Sequence, residues 1–337
     1  MVFGKFDTVC RRIPVAMCSL LGPYSTSDAT GVDPSGIAPV CYARSIDLAN
    51  TVIFQTGTAF INIGALIMSA IMIFNVRQKY TAVGRKEILS FFYLYVILTM
   101  ISLCVDCGVV PPASSPYPYF VAAQNGLTTA TCWCLLINGF VGFQIYEDGT
   151  KLSLWILRIF SFAGFCLAFV VSILTFQSWG GLSPTNTVGL FVVMYIVNAV
   201  ALVIYIVLQV LLVLNTLEDR WPLGDIALAV FFFVVGQILL YVFSNQLCER
   251  MKHYLDGLFF ATVCNLFSVM MIYKYYDSIT KEDLEFSVGA KPSPPVGSSW
   301  QAKEYYDDDS RRPYGNDGSE YTGSFYNVNR HSGTFHY

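Results

Sequence analysis

Charge is scarce in this chain. Of its 337 residues, 13% are Asp, Glu, Lys or Arg, about half the share of a water-soluble domain. That shortage excludes an ordinary soluble globular protein. Histidine is scarcer still: there are three, with His331 and His336 near the C terminus and His253 beside the last apolar run. No HExxH, GxSxG or P-loop pattern occurs, so the residue sets that hold a catalytic zinc, an activated serine or a nucleotide phosphate are missing. Neither catalysis nor a cofactor is expected. No basic patch stands out beyond one loop, which speaks against nucleic acid as a partner. A clean leader is missing too. The apolar patch Ile13–Leu21 behind Arg11 and Arg12 is short, contains Pro14 and lacks a small-residue cleavage site after it. The first long apolar run is therefore expected to direct the chain to a membrane.

Long apolar runs are what the sequence has. Hydrophobic residues make up 55% and aromatics 15%. Seven runs, about 50–75, 88–108, 119–146, 153–177, 187–214, 223–247 and 254–276, are each long enough as a helix to cross ~30 Å of hydrocarbon. The first and fifth hold no charged residue. Inside lipid such a segment must be helical, because its backbone groups find no water. The expected fold is an all-α membrane protein, a bundle of seven transmembrane helices. Its divisions are an N-terminal segment over residues 1–49, the bundle over 50–277 and a tail over 278–337. No internal repeat is visible.

The basic loop "VRQKYTAVGRKE" fixes the expected orientation. Arg77, Lys79, Arg85 and Lys86 lie there, and Lys151 and Arg220 lie in the two other loops on that side. The opposite loops hold only Arg250 and Lys252. Cytoplasmic loops are the ones enriched in Lys and Arg, which makes the N terminus lumenal and the C terminus cytosolic. Residues 278–337 hold 6 Lys/Arg and 9 Asp/Glu, the whole net charge of −3. From residue 287 on they lack apolar periodicity, so that stretch is expected to be disordered.

Several residue sets invite a functional reading beside a structural one. Asn62, Asn138, Asn198, Gln209, Gln237 and Asn265 lie deep in the runs, and Asn125, Thr128, Thr129 and Cys132 share one face of the third. Gly126 with Ala130, and Gly164 with Ala168, are small-xxx-small pairs. Such groups join helices by close approach and by hydrogen bonds of ~0.6 kcal/mol each. They either hold this bundle together or face outward to dock another protein's helices. Arg44 and Asp47, Asp106, Asp256 and Arg158 sit near run ends, where pairing and snorkelling are the plain reading and an ion pathway the sharper one. Arg158 follows Glu147 and Asp148 by ten to eleven residues, about three turns of a helix. Cys104-Val-Asp-Cys107 is a lone CxxC without a second pair. Cys10, Cys18, Cys41 and Cys248 are disulfide candidates in an oxidising lumen, with the pairing left open. Asp283-Leu284-Glu285 is an acidic-x-acidic triplet of the kind vesicle coat proteins read as an export signal, though such triplets recur by chance. The run Asp307–Ser310 reads as a solvated acidic stretch.

Blocks along the chain resemble one family. They are "CYARSIDLANTVIF" (Cys41–Phe54), "AFINIGAL" (Ala59–Leu66), "RQKYTAVGR" (Arg77–Arg85), "VDCGVVPP" (Val105–Pro112), "YPYFVAAQ" (Tyr117–Gln124), "CERMKHYLDGLFF" (Cys248–Phe260) and "DLEF" (Asp283–Phe286). Together they resemble the fungal chitin synthase export chaperone of the endoplasmic reticulum, over roughly residues 1–289. The resemblance implies a multi-pass membrane protein that is not itself a synthase. It implies binding of a polytopic chitin synthase, so that the client folds and leaves the endoplasmic reticulum towards the plasma membrane in support of cell-wall chitin. Asn62, Asn125, Asn138, Asn198, Gln237 and Asn265 are then the candidate client-contact or bundle residues, and Asp283 and Glu285 the candidate export signal. The rivals are a seven-helix receptor, which lacks DRY after its third run and NPxxY in its seventh, and a small-molecule transporter, which lacks inverted repeats and broken helices.

Overall fold

The structure, a computed structural model, describes residues 4, 6–22, 36–37, 39–48, 51–80, 82, 84–112, 114–143, 150–216 and 220–289. Among these residues, seven helices are long and apolar enough to cross a membrane. They are α1 (Thr56–Gln78), α2 (Arg85–Asp106), α3 (Tyr117–Val141), α4 (Lys151–Phe176), α5 (Val188–Asn215), α6 (Trp221–Tyr241) and α7 (Gly257–Gly289), whose spanning part is Gly257–Thr280. Local chemistry sets their starts. Pro118 and Pro222 occupy the first turns of α3 and α6, where a missing N–H costs nothing. The Thr150 hydroxyl accepts the Ser153 N–H to cap α4, and the Asp256 carboxylate accepts the Phe259 N–H at 3.0 Å to cap α7. Gly84, at φ +66°, supplies the left-handed residue from which α2 starts.

Several ends differ from the hydropathy reading. Residues 51–53 are not helical. Strand β1 (Ile46–Leu48) pairs antiparallel with β2 (Thr51–Ile53), Ile46 opposite Ile53. Asp47 is thus in a strand rather than one helical turn from Arg44, whose guanidinium lies over the Tyr254 ring at 5.4 Å. The third helix stops at Val141, and the sixth apolar run breaks at Tyr241 before a short helix, Ser244–Arg250. The last helix continues through Gly289, beyond the 277 boundary. Apolar residues buried against protein and those facing lipid look alike in hydropathy, which is why the ends shift. Glu147, Asp148, Asp307–Ser310 and the expected disorder beyond Gly289 lie outside the described residues.

The helices close a ring. Neighbours pack in the order α1, α2, α3, α5, α6, α7 and back to α1, with α4 outside it against α3. α3 is the central member: 56% of its spanning window is buried, against 22–28% for the other six. Small residues make the α3–α4 contact close. The inner face of α4 reads Ser153, Leu157, Ser161, Gly164, Ala168, Ser172 and Thr175, all buried, at the three-to-four spacing of one helix face. A Cβ on Gly164 would stand 2.9 Å from the Trp133 ring, and one on Gly126 2.8 Å from the Phe165 ring. One apolar core joins Met72, Val76, Phe91, Phe92, Cys134, Leu135, Leu157 and Val269. α1 and α7 are parallel. Gly57 packs on Leu255 and Phe259 at one end, and Lys79 pairs with Asp277 at the other. Here the face holding the N-terminal segment is the cap face, and its opposite the basic face.

Candidate functional site: polar seams, cap and basic face

Polar side chains join the helices in pairs. Gln124 donates to the Ser102 hydroxyl (3.0 Å), linking α3 to α2, and Asn125 donates to Ser172 (3.2 Å), linking α3 to α4. Asn198 donates to the Thr129 hydroxyl (3.1 Å), linking α5 to α3, and to the carbonyl of Met194 in its own helix (3.0 Å). Asn198 closes a π-helical segment, Val192–Val197. A π turn leaves the usual i+4 backbone pairing unmade, and the Asn198 amide serves the Met194 carbonyl instead. Tyr275 donates to the Gln209 side-chain oxygen at 2.6 Å (α7 to α5), and Ser268 to the Ala229 carbonyl at 2.9 Å (α7 to α6).

Other polar groups in the spans keep unmet capacity. Asn62 is buried and its amide N–H has no acceptor among the described residues. Asn265 is half-buried, with its side-chain oxygen unmet. Asn62 on α1 and Asn265 on α7 stand at one level. Each lies about one and a half turns beyond the Gly57–Phe259 contact. Asn138 is half-buried and, among the described residues, reaches only the Cys134 sulfur at 3.7 Å. Gln237 is half-buried without a hydrogen bond among the described residues.

The N-terminal segment forms a cap that sequence reasoning missed. Residues 6–21 fold back onto the bundle mouth. Phe6, Met17 and Leu21 join Val105, Tyr117, Val121 and Leu190 in one core. Ile13, fully buried, packs with Leu240 and Ala261. The Thr187 hydroxyl donates to the Gly4 carbonyl (2.7 Å), the Tyr117 hydroxyl to the Ala16 carbonyl (3.0 Å) and the Gln55 amide to the Pro14 carbonyl (3.2 Å). Two disulfides, Cys10–Cys18 and Cys41–Cys248, resolve the open pairing. The short spacing of Cys10 and Cys18 around an apolar patch was the available signal. The His253 Nδ1 lies 3.3 Å from the Cys41 sulfur and 3.7 Å from the Cys248 sulfur. These three residues are a metal-sized cluster, but both sulfurs are in the disulfide, so no thiolate is on offer.

Burial sets the acid–base character of the cap face. It pushes the Asp256 carboxyl above its ordinary range, against the opposing pull of backbone N–H groups at Phe259 and Leu258. Burial first, then the Asp106 and Cys104 side chains, push the Cys107 thiol up to about 11. Cys104 and Cys107 are both free thiols, and Cys107 stays protonated and inert.

On the basic face Lys79 binds Asp277 and the Thr280 hydroxyl (2.7 Å), tying α1 to α7. The Ser153 hydroxyl donates to Glu87 at 3.1 Å, tying α4 to α2. Lys274 pairs with Asp225 at 3.4 Å. Asp283 and Glu285 fall within the helical end of α7.

The sequence pattern described as chitin synthase export chaperone matches residues 2–290. A protein of that name from Aspergillus oryzae is 59% identical over 329 residues, 97% of this chain and 96% of the relative. The chain belongs to the chitin synthase export chaperone family. Relatives of the same name from Fusarium oxysporum f. sp. lycopersici and Neurospora crassa are 60% and 59% identical, over 92% and 90% of this chain and 90% and 82% of their own lengths. No solved structure matches the chain. The family's description is of a chaperone, not of a catalyst.

In this family member the polar residues divide by geometry. Asn125, Asn198 and Gln209 serve the bundle's own seams. Asn62, Asn138, Gln237 and Asn265 retain hydrogen-bonding capacity within the spans. The small-xxx-small pairs are also internal, at the α3–α4 contact.

Proposed function

We propose that this chain binds a polytopic chitin synthase in the endoplasmic reticulum membrane and enables its folding and export towards the plasma membrane. The high identity along nearly the whole chain to relatives of that name carries this reading. The cap lies in the lumen, where its two disulfides suit an oxidising compartment, and the basic face lies in the cytosol. Recognition is lateral. A client helix whose own packing is incomplete exposes polar or small-residue faces, and the half-buried Asn265, with unmet capacity, hydrogen-bonds to them, with the buried Asn62 at the same level joining once the client loosens the α1–α7 contact. Asp283 and Glu285, at the C-terminal end of α7, contribute to recognition by vesicle coat proteins. The receptor and transporter readings are not favoured by the family match. The test is deletion of the gene while a fluorescent chitin synthase is imaged. Retention of the synthase in the endoplasmic reticulum, with unrelated cargo moving normally, is expected. Arrival of the synthase at the cell surface at the normal rate refutes the reading.

A further inference from the structure

The outward face of α4 carries a pattern that the bundle does not use. Lys151, Trp155, Arg158 and Phe162 fall at i, i+4, i+7 and i+11, one narrow stripe of a helix. All four are exposed, Trp155 at 60% and Phe162 at 67%. Ile159, 58% exposed, borders them. The buried small residues of α4 occupy the opposite side, against α3. Neither Lys151 nor Arg158 has an ion pair or hydrogen bond to another side chain among the described residues. The stripe starts on the basic face, where Ser153 and Glu87 hold the first turn of α4 beside the first turn of α2 with its exposed Lys86.

Depth decides what ligand the stripe fits. α4 has 26 residues, about 39 Å of helix against ~30 Å of hydrocarbon, so roughly 4–5 Å projects at each end. The Arg158 backbone is two turns past Lys151, about 10 Å along the axis. It therefore lies about 6 Å inside the hydrocarbon edge, within reach of the phosphate plane for one extended arginine. Trp155 stands between the two cations at the headgroup level that indoles favour. Below them Phe162 and Ile159 continue the face as an apolar track, which suits an acyl chain. A cation pair at phosphate height, an indole between them and an apolar track beneath are complementary to one whole lipid molecule.

We propose that Lys151, Trp155, Arg158 and Phe162 form a binding site for an anionic glycerophospholipid of the leaflet at the basic face. Arg158 and Lys151 hold the headgroup phosphate and Phe162 carries the chain. An acidic side chain on a partner's helix meeting Arg158 is the competing occupant, and the test separates the two.

The full chain is purified into nanodiscs of phosphatidylcholine with one part in ten phosphatidylserine or phosphatidylinositol. Lipid retained on the protein is counted by native mass spectrometry. The wild type is expected to retain anionic lipid over phosphatidylcholine. The double variant K151Q/R158Q is expected to lose about fivefold per cation, roughly thirtyfold in all, and R220Q to lose nothing. An intact Cys41–Cys248 disulfide and a single elution peak certify the fold. Soluble inositol phosphate or inorganic phosphate is not expected to displace the lipid, because neither fills the track; displacement by them overturns the assignment in favour of a simple anion site. If the double variant does not fold, the wild type alone decides, and equal retention of zwitterionic and anionic lipid ends the proposal. Unchanged retention in a folded double variant ends it too. So does an Arg158-dependent association with chitin synthase that is the same in pure phosphatidylcholine.

Discussion

Alanine at Gly126 tests whether close approach of α3 and α4 holds this bundle. A Cβ there would stand 2.8 and 2.9 Å from two carbons of the Phe165 ring and 3.1 Å from the Phe165 carbonyl oxygen. Carbon atoms prefer 3.5–4.0 Å, so the overlap with the ring is about 0.7 Å. The ring can tilt, but the carbonyl belongs to the backbone of α4 and moves only with the helix. Overpacking of this kind costs typically 1–3 kcal/mol. Alanine also favours a helix over glycine by up to ~1 kcal/mol, which would mask part of the loss. Gly64 in α1 removes that ambiguity, because a Cβ there meets nothing within 4 Å. The propensity gain is common to both sites and cancels in the difference. Gly126→Ala should therefore be less stable than Gly64→Ala by about 1–3 kcal/mol. The measurement is denaturant unfolding of both variants in one detergent, followed by helical circular dichroism. Equal stability of the two variants would show that the α3–α4 distance is slack and the packing argument wrong.

Three further outcomes are expected. Cys41→Ser should destabilise the chain more than Cys10→Ser, because its disulfide spans 207 residues rather than 8; chain entropy gives about 5 against 2–3 kcal/mol in the unconstrained limit, and thermal unfolding with and without reductant reads the difference. For Asp256 the folded carboxyl is raised, so the folded state holds more protons than the unfolded one above the ordinary value of about 4. Stability should then fall as pH rises from there through the folded value; Asp256→Asn, which keeps a capping side chain, should flatten a melting-temperature series taken upward from the ordinary carboxyl value, and an unaltered slope contradicts this. Leucine at Asn62, Asn138 and Asn265 together should lower client export more than this protein's own abundance, whereas leucine at Asn125 and Asn198 should lower its abundance first, through the loss of roughly 0.6 kcal/mol per interhelical hydrogen bond; pulse-chase of both proteins decides, and parallel losses in both variants would mean that all five residues only fold the bundle.

The seven spans were legible because lipid imposes one demand on all of them, about twenty residues without exposed charge. Their ends were not. Thr51–Ile53 continues the apolar run yet forms a strand, and the sixth helix breaks at Tyr241 although Val242 and Phe243 extend its apolar run. The polar residues were legible in depth but not in direction. Asn125 and Asn62 look equivalent along the chain, and only the helix facing each one tells that the first has Ser172 and the second has no acceptor among the described residues. The cap was the largest miss. Ile13 is buried by Leu240 and Ala261, partners more than two hundred residues away, so nothing in its neighbourhood along the chain announces its place. The partner of Lys79 in the basic loop was not legible either: Asp277, which ties α1 to α7, lies almost two hundred residues further along the chain.

The staple between Cys41 and Cys248 also imposes a timetable. Its second half is made 207 residues after its first, and at about 5–20 residues per second of synthesis the wait is roughly 10–40 s. Throughout that interval Cys41 is an orphan thiol, free to take Cys10 or Cys18 instead. The ribosome must deliver six spans before the mouth of the bundle can be latched, so a newborn copy needs supervision of its own before it can give any.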